Sequence, residues 1–364
     1  MKLLCYVQPH RRGGVARHAI EMVRGLHARQ ELTVSLMASA VDATRHPDFI
    51  AQTPRAPMVA LPLPGILQER VWKVAHWPPL VGRCRGFDAI YSPAEVRFPR
   101  CGVPQLVTIH DVQALEVHLP WSATPQHRAF RRKWMQWLPK MIREADRILT
   151  VSEFSKQRMM ALLDAPPDKI AVVGNGVSAA FVAPSTISQS DIQPTIVVIG
   201  GLREKKGAAA TLAVATELGR RRLPFTIEIY GQHDASWAEE AAAHQNVRLH
   251  GYASDHAIAD ALRGSTALLF LSPYEGFGIP AVEAMAAGSP AIVADAASLP
   301  EIVGDAGLVV NPDEPKAVVD ILVRLMDDCV WRNEWVAKGR ARAAEFTWDR
   351  CVDKLVATLR EVTA

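Results

Sequence analysis

Short apolar blocks of strand length recur along the chain, and most lead through a turn into a run with helical spacing. Leu3 to Val7 is the first; Gly13-Gly14 and then a repeat of Ala16, Ile20, Met22, Val23 and Leu26 follow it. Further strands are predicted at 32–37, 58–61, 88–91, 105–109, 147–151 and 170–173. The pattern restarts at 195–199 and continues at 225–229, 247–249, 267–271, 291–294 and 307–310. Residues 42–57 and 62–80, rich in Pro, Arg, Trp and His, read as irregular or helical insertions. A Ser, Ala, Pro, Thr and Gln stretch at 178–194 is the candidate linker. Two βα runs of this kind predict an α/β chain of two Rossmann-like domains facing across a cleft.

The richest stretch is Ser272-Pro-Tyr-Glu-Gly-Phe-Gly-Ile-Pro-Ala-Val-Glu-Ala-Met-Ala-Ala-Gly288. An apolar strand precedes it. Pro280 suits a first helical turn, Ala284 to Ala287 are helix formers, and Gly288 suits the stop. Strand, glycine loop and helix make an anion site: amides of Gly276, Phe277, Gly278 and Ile279 and the helix's positive end converge on the strand end. Glycines at 276 and 278 would let a phosphate approach the backbone. Glu283 is expected in the first helical turn, with Glu275 in the loop. Two carboxylates beside a phosphate suit a ligand that also carries hydroxyls.

Glu275-Gly-Phe-Gly-Ile-Pro-Ala-Val-Glu283 resembles the E-x7-E motif of glycosyltransferase family 4, whose members are retaining enzymes of the GT-B fold. The resemblance implies that Glu283 binds the ribose hydroxyls of a sugar nucleotide and that Glu275 lies beside the donor sugar. Gly200-Gly-Leu-Arg-Glu-Lys-Lys-Gly207 is similar to the family's phosphate-binding turn, so Lys206 and Lys205 are expected to neutralise the donor diphosphate. Gly201 departs from members with arginine there, which leaves one phosphate contact missing or supplied by Lys205 or Arg203. His110-Asp111 closes a buried-type strand where the family has a histidine that contacts the donor sugar; Asp111 is expected to orient the loop or His110. Gly14, with Gly13 second, matches a glycine pair facing donor phosphates or acceptor. Ser152 reads as a helix N-cap and Asn175-Gly176 as a turn, and the resemblance implies that Tyr252 to Asp255 lie at the nucleobase edge. The implied boundaries are 1–185, an acceptor domain; 186–345, a donor domain; and 346–364, a C-terminal helix crossing back to the first.

A length of 364 residues favours two domains, and 49% hydrophobic with 22% charged residues is ordinary for a soluble enzyme. A net charge of +3 argues against a dedicated nucleic-acid binder. Five scattered cysteines without a C-x-x-C pair indicate neither a disulfide framework nor a zinc site, and fit a cytoplasmic setting. The first apolar block is too short for a signal peptide, and no run of about 18 apolar residues occurs. Residues 127–147 are basic and aromatic: Phe130, Trp134, Trp137, Leu138 and Met141 share a face, and Pro139 should kink or split the helix. That helix is either a core-packed element with a solvated basic side or a peripheral contact with the anionic inner face of a membrane.

The resemblance implies retaining transfer of a hexose from a sugar nucleotide, and the lysines and the helix end are expected to make a metal unnecessary. GDP-mannose is favoured over GDP-rhamnose or a UDP-hexose, no further cofactor is expected, and the acceptor is a lipid-linked or lipopolysaccharide-type glycan. A GT-B sugar-nucleotide epimerase and a non-catalytic sugar-nucleotide binding protein are the alternatives.

Overall fold

In the computed structural model, which describes residues 1–183 and 193–364, the apolar blocks of the first half lie side by side as parallel strands. They are β1 (Lys2–Tyr6), β2 (Thr33–Ser39), β3 (Met58–Leu61), β4 (Ala89–Ser92), β5 (Gln105–Thr108), β6 (Arg147–Thr150) and β7 (Ile170–Val172), in the order β3-β2-β1-β4-β5-β6-β7. Successive side chains of a strand point to opposite faces, and β1 shows it. Leu3 and Cys5 join Val23, Leu26, Val352, Leu355 and Leu359 on one side. Leu4 and Tyr6 join Trp72, Ile90, Met141 and Ile148 on the other.

This first unit comprises residues 1–176 and 348–364. The last helix, Trp348–Thr363, packs on the first, Gly13–Ala28. Gly25 permits the close approach, because a Cβ there would stand 2.4 Å from Val352 Cγ2. Val352, Leu355 and Leu359 are fully buried, each worth on the order of 1.5–3 kcal/mol. The two insertions contain helices: Ala40–Arg45 and Pro47–Gln52 in one, Gly65–Ala75 in the other.

The basic helix runs unbroken over Pro125–Glu144, with Thr124 as N-cap. Pro139 does not split it. Leu138, Met141 and Ile142 on either side are buried against the core, and that packing outweighs the lost backbone hydrogen bond. The shared apolar face is buried only over its C-terminal half; Phe130 is 45% exposed.

The second unit, residues 177–347, repeats the plan. Its strands are β8 (Thr195–Ile199), β9 (Thr226–Tyr230), β10 (Val247–His250), β11 (Ala267–Phe270), β12 (Ala291–Ala294) and β13 (Leu308–Val310). They are parallel, in the order β10-β9-β8-β11-β12-β13. The units change over after Gly176 and before Trp348, not at 185 and 345. The start of the expected linker is instead a short helix, Ala179–Val182, held by buried Phe181 and by Arg263 Nη2 donating to the Ala180 carbonyl at 2.5 Å. Residues 184–192 of that linker lie outside the described residues.

Strand order reverses beside β1 and β4 in one sheet and beside β8 and β11 in the other. Ligands of open parallel sheets gather outside the carboxyl ends of strands at such points. These ends carry Gln8–Gly13, Glu95 and His110 in the first unit, and residues 200–207 and 272–279 in the second. A cleft of about 690 Å³ in the first unit lies at the opposite, amino ends, lined by Met1, Leu32, Asp88 and Pro104.

Candidate functional site

In the second unit two glycine turns close on each other. After β8 the chain turns through Gly200 and Gly201, with φ of 111° and 82°. A Cβ on Gly201 would meet the Gln232 carbonyl oxygen at 1.7 Å. An arginine is therefore excluded there by backbone geometry. One tight helical turn, Glu204–Lys206, follows and ends at Gly207. Gly207 has φ 76°, and a Cβ there would lie 2.1 Å from the Leu271 carbonyl oxygen. This approach sets the turn after β8 against the end of β11, where Ser272 Oγ donates to the Lys205 carbonyl at 3.0 Å.

The consequence is an ion pair between residues far apart in sequence: Lys206 Nζ lies 2.6 Å from Glu275 Oε1. The Glu275 backbone is pinned by Ser298 Oγ, which donates to its carbonyl at 2.9 Å. Both side chains keep some exposure, 28% for Lys206 and 14% for Glu275. The lysine uses one of three N–H donors in this bond, so two remain for a ligand.

The helix after β11 is Ile279–Ala287, with Pro280 in its first turn and Gly288 at its stop. Glu283 is thus in the second turn, not the first. Helical side chains lean back toward the amino terminus. Glu283 is only 4% exposed. Gly278 precedes the helix with φ 97°, and a Cβ there would stand 2.5 Å from Leu299 Cδ2. Its left-handed backbone and that packing both call for a glycine. Phe277 is buried against Phe346, rings 5.5 Å apart, so its side chain is committed to the core. Gly276 lies between Glu275 and Phe277 in the same loop. Arg203 stands 3.7 Å from Asp234.

The loop after β8 has a further prop that sequence pattern gave no reason to single out. His233 accepts from the Leu202 N–H through Nδ1 at 3.0 Å and donates from Nε2 to the His250 carbonyl at 2.6 Å. His250 stacks on Tyr230 at 4.6 Å and pairs with Glu228. Tyr252 is exposed.

In the first unit His110 is held on several sides. Its Nε2 donates to the Pro93 carbonyl at 2.9 Å. Its backbone N–H donates to Glu95 Oε1 at 3.2 Å, and its carbonyl accepts from Ser155 Oγ at 3.1 Å. Asp111 Oδ1 accepts from the Gln113 N–H at 2.8 Å, so Asp111 shapes the loop. Ser152 caps its helix by accepting from the Ser155 N–H at 3.0 Å. In the glycine pair it is Gly13, φ 61°, that needs a glycine backbone; Gly14 is in the first helical turn.

His18, which sequence pattern hid as one of several polar residues of an amphipathic helix, packs edge-on to His110 with ring centroids 4.8 Å apart. Its Nδ1 lies 2.7 Å from Asn175 Oδ1, so the Asn-Gly turn is also a buried hydrogen-bond partner. Burial, and secondarily the neighbouring His110, push the His18 pKa down to about 3. His18 is therefore a neutral donor to Asn175 at physiological pH.

Two family models match the chain. One, described as "Glycosyltransferase Family 4", covers residues 12–181; the other, "Glycosyl transferases group 1", covers residues 193–328. An O-antigen chain mannosyltransferase B of Escherichia coli is 25% identical over 94% of this chain and 94% of its own length. Among solved structures, Anabaena HepE in complex with UDP superposes with a TM-score of 0.74 at 19% identity, covering 99% of this chain and all of that one. WaaG, a glycosyltransferase involved in lipopolysaccharide biosynthesis, gives 0.70 at 16% identity, with 99% of each chain covered. These likenesses establish the GT-B fold.

Proposed function

The chain belongs to glycosyltransferase family 4, and from that premise we propose that it transfers mannose from GDP-mannose to a growing cell-surface glycan, with retention of anomeric configuration. The observation that carries the reading is the closure of the two turns of the second unit, which puts Lys206 on Glu275 at 2.6 Å at the strand ends where Glu283 is also carried. The mannosyl donor and the polysaccharide setting are supported by the O-antigen mannosyltransferase match over nearly the whole chain.

In this reading Lys206, aided by Lys205 and the amides of residues 276–279, stabilises the charge that grows on the leaving diphosphate. Those cations make a divalent metal unnecessary. Glu283 accepts the ribose hydroxyls. Glu275 orients Lys206 and is assigned to the donor sugar. His110 is assigned to a sugar hydroxyl. Front-face attack assisted by the leaving phosphate fits a site with no carboxylate assigned as covalent nucleophile. Gly14 is assigned to backbone contact with phosphate or acceptor. The acceptor is a lipid-linked or lipopolysaccharide-type glycan.

The test combines binding and turnover. GDP should raise the melting temperature more than UDP or ADP, and wild type should move mannose to a mannan-type acceptor. Glu283→Ala should raise the donor KM at least tenfold. Equal shifts for the three nucleotides would remove the guanine assignment, and an unchanged KM would remove the ribose role. Donor conversion without acceptor would point to an epimerase; nucleotide binding without any turnover would point to a binding protein.

A second reading concerns location. No helix of the described residues is long and apolar enough to cross a membrane. The basic helix exposes Phe130 and Met135, and the neighbouring insertion exposes Ile66, Leu67, Val74 and Trp77. We propose peripheral docking of residues 127–147 on an anionic inner leaflet, with these apolar side chains inserted. Flotation on phosphatidylglycerol vesicles should be lost at high salt and on reversing Arg128, Arg131 and Arg132. Flotation that ignores both changes would dispose of this docking.

A further inference from the structure

At the carboxyl ends of β1 and β4, within the first unit, three carboxylates converge that the donor assignment does not use. Asp42 and Glu95 are buried, and Glu69 is nearly so. The two insertions bring them there. Asp42 comes from the helix after β2, capped by Ser39 Oγ at 3.1 Å, and Glu69 from the Gly65–Ala75 helix. Asp42 Oδ2 accepts from the Gly65 N–H at 2.9 Å and meets His10 Nδ1 at 3.1 Å. His10 Nε2 is 3.9 Å from Glu69. The Arg11 guanidinium stands between the other two, 3.9 Å from Glu69 and 3.9 Å from Glu95.

One buried side chain in the cluster is incomplete. Gln8 is 2% exposed, and its Nε2 donates to Glu69 Oε1 at 2.6 Å. Its Oε1 is buried and has no hydrogen-bond partner. Native interiors rarely leave such an acceptor unmade, and a ligand donor is one way to complete it. The amide orientation is fixed by the bond to Glu69, since a flipped amide would set oxygen against carboxylate.

The ligand chemistry follows from the charges. A phosphate would meet three carboxylates with Arg11 and His10 already engaged. A sugar hydroxyl donates to carboxylate and amide oxygen alike, and neighbouring hydroxyls match a pair of carboxylates held apart by one guanidinium. We propose that Gln8, Glu69 and Glu95 form the acceptor subsite and read an uncharged sugar through its hydroxyls, with Asp42 and His10 positioning Glu69. The proposal rests on the glycosyltransferase reading and names the terminal acceptor residue as a neutral hexose, not a phosphorylated one. Selectivity against phosphate comes from the insertions of this chain, not from the donor half.

Saturation-transfer NMR on the full chain tests it, with methyl α-D-mannopyranoside and mannose 6-phosphate as probes and GDP thermal shifts run in parallel. Wild type should saturate the mannoside, with mannose 6-phosphate giving under a fifth of that signal. Glu69→Gln should reduce the mannoside signal at least fivefold while the GDP shift stays. Should Glu69→Gln fail to fold, Gln8→Leu, which removes the buried acceptor without adding charge, should give the same loss. A mannoside signal absent from wild type, unchanged in the variant, or matched by the phosphate overturns the subsite. A missing GDP shift in wild type instead overturns the donor reading, and the mannoside result still decides this one.

Discussion

At the reversal point of the second sheet, the turn after β8 carries Lys205 and Lys206, and Lys206 meets one loop carboxylate, Glu275, near a helix's amino end. At that of the first sheet, Arg11 and His10 stand among Asp42, Glu69 and Glu95. Strand order is the same in both places. One fold element thus carries lysines and a helix start in one unit and a cluster of carboxylates in the other. Topology fixes where a ligand can bind, and the loops fix which ligand it is. In the second unit Lys206 and Glu275 come from tight glycine turns directly after the strands. In the other half Asp42 and Glu69 arrive on added helices.

The contrast breaks most sharply at Lys206. Lys206→Ala removes the side-chain cation paired at 2.6 Å with Glu275 and leaves Glu275 without that partner. If the second unit is the anion half, kcat should fall by about 2–4 kcal/mol of barrier. Glu275→Gln should cost less alone, and the double variant should cost less than the two single losses summed, because the residues act as a pair. Steady-state kinetics on the four proteins checks this; additive losses would show that the two side chains act independently.

The turns of the second unit were largely legible in the sequence because their pattern is local. Strand, glycine and helix start follow one another within a few residues, at 195–207 and at 267–288. Even there, pattern did not reveal why the glycines are needed. Gly201 and Gly207 answer to the carbonyls of Gln232 and Leu271, and Gly278 to Leu299. Each partner belongs to another element, so no spacing rule could find it. Phe277 packs its side chain on Phe346, a partner nearly seventy positions away that no local pattern marks. The carboxylate cluster was illegible for the same reason. Gln8, Asp42, Glu69 and Glu95 are dispersed over nearly ninety positions, and the residues between them follow no shared period. His18 and Asn175 are still farther apart and meet only through the fold.

That last pair carries the smallest expected effect, and it bears on the first unit alone. His18 is fully buried and donates to Asn175, with its pKa pushed down to about 3 by burial first. In the unfolded chain a histidine takes its proton near pH 6.5. Between those two values the unfolded state binds the extra proton and the native state does not, so stability present above pH 6.5 is lost as pH falls toward 3. The slope from this residue cannot exceed about 1.4 kcal/mol per pH unit. Protonating the ring would also set a charge 4.8 Å from His110, so the same neutrality that costs acid stability keeps the His110 environment constant at working pH. Amide exchange at pH 7 and pH 5 should show protection lost in Gly13–Ala28 and β1. The loss should shrink in His18→Gln, which cannot take up the proton, while β8 and β11 are unmoved by that substitution. An identical pH response in wild type and His18→Gln would place the acid sensitivity elsewhere in the first unit.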